Sequence, residues 1–305
     1  MHELIVPGLQ VIERGWLSAN LVIAQGRQTA AIDSGYFSHE AQTMALVQAA
    51  FGAQGPRLLL NTHLHSDHCG GNAALQAQFP DMRTLIPPGH AAEVASWDPV
   101  ALSYEPTGQN CRRYTFDALL VPGQTIELGD RPWQIHAAPG HDPHSVVLFE
   151  AESRTLISAD ALWENGFGAV FPEIEGRQAF ETVGQTLDLI ESLNVRTVIP
   201  GHGAVFAYRA EVMQRARQRL AWFIEDPMRH ANYCAKVLLK FKLLEVQRQP
   251  LAEFLAWAGN TAHLQTLHRQ WFAREQGMNE WLHSMLADLQ RAGATTLHEG
   301  LILDR

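Results

Sequence analysis

The segment Asn61-Thr-His-Leu-His-Ser-Asp-His-Cys-Gly-Gly71 sets four metal-capable side chains, His63, His65, Asp67 and His68, close together in the chain. Three later positions offer the same donor types, each at the end of an apolar run: His141 in Pro139-Gly-His, Asp160 in Ser158-Ala-Asp and His202 in Pro200-Gly-His. Five imidazoles and two carboxylates, with no thiolate set beside them, suit two divalent ions held by nitrogen and oxygen, Zn²⁺ first, with Mn or Fe as alternatives. The chemistry of such a pair is hydrolysis. A zinc-bound water falls in pKa from about 15.7 to about 7, on the order of 12 kcal/mol at ~1.36 kcal/mol per unit, more than one side-chain base contributes. Two ions ~3.5–4 Å apart can share a hydroxide nucleophile and polarise the oxygen under attack.

These residues need elements to carry them. Residues 57–62 form a continuous apolar run of strand length, expected to be buried on both faces. His63 and His65 at its end would point the same way by strand alternation, and a turn at Gly70-Gly71 would bring Asp67 and His68 round to a neighbouring point. Upstream, residues 21–24 and 29–33 read as a hairpin. Ala41, Met44, Ala45, Val47 and Phe51 mark a helix over 38–51 with Ser38 as its N-cap. A short helix over 72–79 follows, then strands over 84–86, 133–137, 145–150, 155–158 and 196–199. Strands alternating with helices predict an α/β layered fold with its site at strand ends. After Gly203 the pattern becomes helical. Val212, Ala216, Leu220 and Phe223 stripe one long helix that ends at Asp226-Pro227, and helices over 230–246, 251–258, 263–275 and 279–291 follow. A hairpin over 295–298 and 301–304 closes the chain. Helices followed by such a hairpin resemble a small winged-helix module.

Composition bounds what this arrangement can be. The 305 residues are 46% hydrophobic and 18% charged, a globular balance that excludes intrinsic disorder. No run approaches the ~18 apolar residues of a membrane span, and the first residues lack a basic stretch followed by an apolar one, so no secretory signal is expected. Cys69, Cys111 and Cys234 form neither a disulfide framework nor a Cys-x-x-Cys motif, which fits a cytoplasmic protein. Histidine is abundant, 15 residues against 23 Lys and Arg together. The net charge of −9 argues against nucleic-acid binding through bulk positive charge. It divides unevenly: residues 1–207 hold 10 basic and 22 acidic residues, and residues 208–305 hold 13 and 10. With the change of pattern, this predicts a catalytic domain over 1–225 and a helical domain over 226–305.

The motifs His63-x-His65-x-Asp67-His68, His141, Asp160 and His202 resemble those of the metallo-β-lactamase-fold hydrolases, over roughly residues 1–225. That resemblance implies a four-layer αββα sandwich. It implies that His63, His65 and His141 hold one metal, that Asp67, His68 and His202 hold the other, and that Asp160 bridges them. Asp67 would be both ligand and orienter of the nucleophile. The C-terminal module is similar to the winged-helix appendage of the β-lactamase-like protein 2 endoribonucleases. Two departures stand out: Asp160 follows Ala159 where the family commonly has Gly, and residues 99–113 carry no family signature.

The expected function is a binuclear metal-dependent hydrolase whose metal-bridging hydroxide cleaves a small-molecule ester, thioester or lactone. An endoribonuclease or phosphodiesterase is the alternative, with nucleic acid a less favoured partner. An iron-dependent oxidoreductase like the persulfide dioxygenases is the alternative from another class. The small-molecule hydrolase reading resembles glyoxalase II, whose glutathione site uses basic residues including one after the bridging-Asp loop, where this chain reads Gly166-Phe-Gly-Ala-Val-Phe-Pro-Glu173. Among other residues, His144 is expected in a supporting or surface role and Cys69 as a small packed residue. Arg112-Arg113 is either a solvated pair or a receptor for an anionic substrate group. Arg209, Arg215, Arg217, Arg219, Lys236, Lys240 and Lys242 are expected on solvated helix faces, with a phosphate-contacting stripe as the competing reading. Trp257, Trp271 and Trp281 are expected as core or interface anchors. Substrate and oligomeric state stay open.

Overall fold

The computed structural model describes residues 6–305; residues 1–5, where the segment read for a secretory signal begins, lie outside the described residues. One six-stranded sheet runs in the order β1 (Leu9–Ile12), β2 (Leu21–Ala24), β3 (Ala30–Ile32), β4 (Leu58–Leu60), β5 (Arg83–Ile86) and β6 (Ala118–Leu119). Its first three strands are antiparallel, and β3 to β6 run parallel. The second sheet comprises β7 (Thr125–Leu128), β8 (Arg131–Ala137), β9 (Val146–Glu150), β10 (Thr155–Ala159), β11 (Thr197–Pro200) and β12 (Phe206–Ala207), each hydrogen-bonded to the next. Only its β10–β11 pair is parallel.

The strand period of two explains why these runs are apolar without alternation. In β2 and β4, Leu21, Ile23 and Leu59 face a layer of helices that includes Glu40–Phe51 and Asn72–Gln78, while Val22, Ala24, Leu58 and Leu60 face the other sheet. In β10 and β11, Leu156 and Val198 pack on the helices Ala179–Ser192 and Ala210–Glu225, while Ile157 and Ile199 face inward. Four layers result, helix–sheet–sheet–helix, with the central core between the sheets.

The C-terminal residues form the helices Pro227–Val246, Leu251–Asn260, Ala262–Leu267 and Met278–Arg291. An antiparallel sheet of β13 (Arg248–Pro250), β15 (Leu301–Asp304) and β14 (Thr295–His298) follows, in that order. Their shared core includes Leu239, Phe254, Leu264, Trp281, Leu286 and Ile302, and it also takes in Ala169 and Ile174 from the preceding part of the chain. Among the described residues, no helix is long and apolar enough to cross a membrane.

Several sequence expectations shift. Ser38 does not cap the first helix. It lies inside the 3₁₀ turn Phe37–His39, and the α-helix starts at Glu40 with His39 at the N-cap position and no side-chain cap. That turn is tied down by contact between Ser18 Oγ and His39 Nδ1 at 2.9 Å. The predicted helix over 263–275 breaks into Ala262–Leu267 and a π turn at His268–Phe272. The strands not anticipated, β1, β6, β7, β12 and β13, have two to four residues and lie at or beside sheet edges, too short for a periodic signal.

Candidate metal centre

β4 stops at Leu60, before His63, so the two histidines converge through the following loop and not through strand alternation. Buried Asp33, at the end of β3, fixes that loop. Its Oδ1 accepts the Thr62 N–H at 2.9 Å and its Oδ2 accepts the Thr62 hydroxyl at 2.8 Å. One helical turn, Ser66–Cys69, then carries Asp67 and His68. The Gly70-Gly71 pair is required by close approach: a Cβ at Gly70 would lie 2.5 Å from Phe37 N, and one at Gly71 2.5 Å from Ser34 O. His141 sits in the loop from β8 to β9, Asp160 follows β10, and His202 follows β11. Beside Asp160 the register of β10 slips, and Ala159 takes φ 46°, the left-handed region where glycine is the usual occupant.

All seven sequence-selected residues come together. They fall into three overlapping groups that could hold a metal ion: His63, His65 and His141; His63, His68 and Asp160; and Asp67, His68 and His202. Within each group the donor atoms lie within 4.8 Å of one another. His65 Nδ1 is 3.1 Å from His63 Nε2 and 2.8 Å from His141 Nε2. Asp160 Oδ2 is 3.3 Å from His141 Nε2, 3.6 Å from His68 Nε2 and 3.8 Å from His202 Nε2, and Asp67 Oδ2 is 3.0 Å from His202 Nε2.

Four of the five histidines have a partner at the ring nitrogen that faces away from the cluster. His68 Nδ1 meets Asp33 Oδ2 at 2.8 Å, His141 Nδ1 meets the Ala169 carbonyl at 2.5 Å, and His202 Nδ1 meets the Gly15 carbonyl at 3.2 Å. His63 Nδ1 lies 3.2 Å from Thr62 Oγ1. Partners of this kind fix the tautomer so that the inward nitrogen presents a lone pair. Buried His68 Nε2, turned to Asp67 and Asp160, has no hydrogen-bond partner. A buried polar nitrogen without a partner is costly unless something else satisfies it, and a cation at this donor set would do so.

The electrostatics differ across the cluster. Burial, with the neighbouring imidazoles, holds His63 well below the usual imidazole range, and burial followed by His141 brings His65 down to about 4. Both are therefore neutral, the form that coordinates metal. On the other side, burial opposes the charge of His68, but Asp33, Asp160 and Asp67 outweigh it and hold His68 well above the usual range. Burial likewise opposes ionisation of Asp160, yet His202 and His68 keep that carboxyl well below its usual range.

The centre opens into a cavity of about 480 Å³ whose lining includes His65, Asp67, His141, Asp160 and His202. Trp16, exposed at 56%, stacks on His202 at 5.2 Å with rings 6° from parallel, and the Trp163 ring meets its face at 5.1 Å. Trp163 Nε1 also donates to Asp160 Oδ1 at 3.2 Å. Ser103, Thr107 and Gln109, from the stretch without a signature, line the cavity, as do Phe171 and the helix Pro227–Val246. Sequence reading missed these residues and Asp33. For Asp33 a signal existed, a carboxylate ending an apolar strand; for Trp16 and Phe171 none did.

The remaining candidates lie outside the donor cluster, although Lys236 and Lys240 border the cavity. Arg112 pairs with Glu40 at 2.9 Å, and Arg113 Nη2 donates to the Ala95 carbonyl at 3.4 Å. His144 packs against His90, and Cys69 Sγ is buried 3.2 Å from the Tyr104 hydroxyl. Arg217 pairs with Asp188 and Glu191, Lys236 with Asp288, Lys240 with Asp304 and Lys242 with Glu245; Arg215 binds the Glu164 carbonyl. Arg219 lies over the Tyr233 ring at 4.4 Å. Trp281 is buried, and Trp271 is 37% exposed.

Two facing six-stranded sheets between helix layers, with a histidine–aspartate cluster at the strand ends, define a class of protein. The family model of the metallo-beta-lactamase superfamily matches residues 14–202, and the chain belongs to that superfamily. The chain is 26% identical over 194 residues to the acyl-coenzyme A thioesterase MBLAC2 of Homo sapiens, covering 61% of this chain and 66% of that one. It is 32% identical over 147 residues to a hydroxyacylglutathione hydrolase of Anaeromyxobacter dehalogenans (strain 2CP-C), covering 48% and 47%. The matches thus span less than two thirds of these relatives' own lengths. Among solved structures, a metallo-beta-lactamase family protein from Thermus thermophilus superposes with TM-score 0.57 at 18% identity, covering 98% of this chain and 99% of that one. A second, solved in a di-iron-bound form, gives TM-score 0.50 at 21% identity over 65% and 93%. At these identities the structural likeness concerns the fold.

Proposed function

We propose that the chain is a binuclear metal-dependent hydrolase of small-molecule thioesters, with esters and lactones as neighbouring reactions. His63, His65 and His141 would hold one ion and Asp67, His68 and His202 the other, with Asp160 between them. Zn is the expected metal, with Mn or Fe as alternatives. The observation that carries this reading is Asp160 Oδ2, within 3.8 Å of inward nitrogens from His141, His68 and His202, beside the partnerless His68 Nε2. When bound, the ions supply an activated water and polarise the oxygen of the bond attacked. Asp67 borders the cavity, and against the effect of burial His68 and His202 hold it ionised, so it would orient that water by accepting a hydrogen bond from it. Trp16 and Trp163 restrict solvent on the His202 side.

Thioesters lead because the two relatives named above are a thioesterase and a glutathione-thioester hydrolase. The departure at residues 166–173 favours acyl thioesters other than those of glutathione. Arg215, Arg217, Lys236 and Lys240 are bound to the protein's own acceptors and not held free for a phosphate backbone, which weighs against a nuclease. Seven donors suit two ions better than the single iron of an oxidoreductase. We further propose two domains, 1–225 and 226–305, the second winged-helix-like, with its helix Pro227–Val246 walling the cavity. Metal-loaded protein assayed against thioesters, lactones, phosphodiesters and short RNA tests the reading. The highest kcat/KM is expected for a thioester, and a preference for RNA would replace the proposal with the nuclease.

A further inference from the structure

The helix Pro227–Val246 presents Val237, Phe241 and Leu244 to the cavity, positions separated by four and three residues and therefore on one face. Leu289 from the helix Met278–Arg291 joins them. Phe171 completes the wall, and its ring lies 5.5 Å from that of His65 and 5.9 Å from that of His141. The apolar surface thus begins against imidazoles of the candidate metal centre. Phe241 is braced from behind by Tyr36 at 5.0 Å, edge to face.

Two lysines on the same helix also border the cavity, and their environment decides what the wall can recognise. The Lys240 ammonium has three N–H groups. They are directed to Asp304 at 2.5 Å and to the carbonyls of Ala294 and Arg305, both at 2.9 Å. The Lys236 ammonium pairs with Asp288 at 3.3 Å, a carboxylate that Arg291 shares. These cations hold the C-terminal elements together and leave the stems and the apolar residues facing the cavity. Arg305 also borders the cavity, its Nε directed to Thr296 Oγ1; an anionic head group gains little from the two engaged lysines, and a hydrocarbon gains burial.

We infer that this cavity is an acyl-chain pocket, and that Phe171, Val237, Phe241, Leu244 and Leu289 select thioesters carrying an extended apolar acyl group over short or hydroxylated ones. The inference rests on the hydrolase reading for turnover but not for binding. A well-buried methylene contributes about fourfold in affinity. Even after the cost of ordering the chain, lengthening acetyl to octanoyl should raise kcat/KM at least about 100-fold.

The test uses full-length, metal-loaded protein and the acetyl, hexanoyl and octanoyl thioesters of N-acetylcysteamine. Calorimetric binding of octanoate and of acetate runs beside it, the carboxylate being common to both. A steep rise with length, octanoate bound at least about 100-fold more tightly than acetate, and a flattened length dependence in Leu244→Gln support the pocket. A flat or falling wild-type series, with octanoate bound no better than acetate, overturns it, whatever the variant's folding. If no thioester of any length is cut while octanoate still binds selectively, the hydrolase reading fails and the pocket stands.

Discussion

Asp33→Asn is the most informative substitution outside the seven donors. The Asp33 carboxylate accepts three hydrogen bonds, from the Thr62 N–H, the Thr62 hydroxyl and, at 2.8 Å, His68 Nδ1. A carboxylate can only accept, so Asp33 keeps a His68 proton on Nδ1, and Nε2 is the nitrogen from which a metal ion would displace the second proton. Asparagine keeps the shape and one acceptor oxygen. If that oxygen stays on the Thr62 N–H, the new amide donates toward His68 and moves the ring proton to Nε2, the nitrogen turned to Asp67 and Asp160. Loss of such a supporting carboxylate costs roughly 10- to 100-fold in metal affinity. Replacing charge-assisted bonds in a buried site lowers stability by roughly 2–3 kcal/mol. Chelator-competition titration with Zn²⁺ and urea unfolding measure the two effects. Asp142→Asn is the control: Asp142 Oδ2 stands 3.9 Å from His65 Nε2, beyond hydrogen-bond range, and the expected loss is under about tenfold. Wild-type affinity for both ions in Asp33→Asn would refute the reasoning.

Two further outcomes are expected. Gly201→Ala should lower metal affinity at least about tenfold with the fold retained, by the same metal titration, because the added Cβ runs into Asp160 Oδ1 and comes within 2.9 Å of His68 Cε1. His230 lies between Phe180 and Phe223, its Nε2 accepts the Val170 N–H at 3.2 Å, and burial, then Arg219, brings it down to about 4. Neutral in the fold and protonated near 6.5 when unfolded, it contributes stability that is full above 6.5 and lost as pH falls toward 4. At pH 4.5 the loss is roughly 2.5 kcal/mol at ~1.36 kcal/mol per unit. Urea unfolding at pH 7 and 4.5 should show His230→Gln less acid-sensitive than wild type by about that amount, and equal sensitivity would contradict it.

How far the sequence could be read depended on how local each signal was. The histidine–aspartate cluster was legible because Asn61–Gly71 holds four candidate donors in one short segment, and the remaining three follow strands in an α/β pattern. What positions His63 and His65 was not legible: β4 stops at Leu60, and the loop follows contacts with Asp33, distant in sequence. The layers followed from apolar runs such as residues 57–62, while two-residue strands such as β6 and β12 exist only through their neighbours. The cavity wall was hidden for the same reason. Val237, Phe241 and Leu244 read as an ordinary helix stripe until tertiary packing turns them toward the histidines. The charge shift near residue 208 marked the change of character, but several of the basic residues it counted, Arg215, Lys236 and Lys240 among them, bind the protein's own acceptors.

Metal content measured together with turnover tests the central claim most directly. Wild type and Asp160→Ala, each stripped and then reloaded with Zn²⁺, would be analysed for metal per chain and for thioester hydrolysis. Two ions per wild-type chain, activity that appears only on reloading, and loss of both in Asp160→Ala are the predicted results. Full hydrolysis by the stripped protein, or by Asp160→Ala in metal-free buffer, would contradict a binuclear hydrolase.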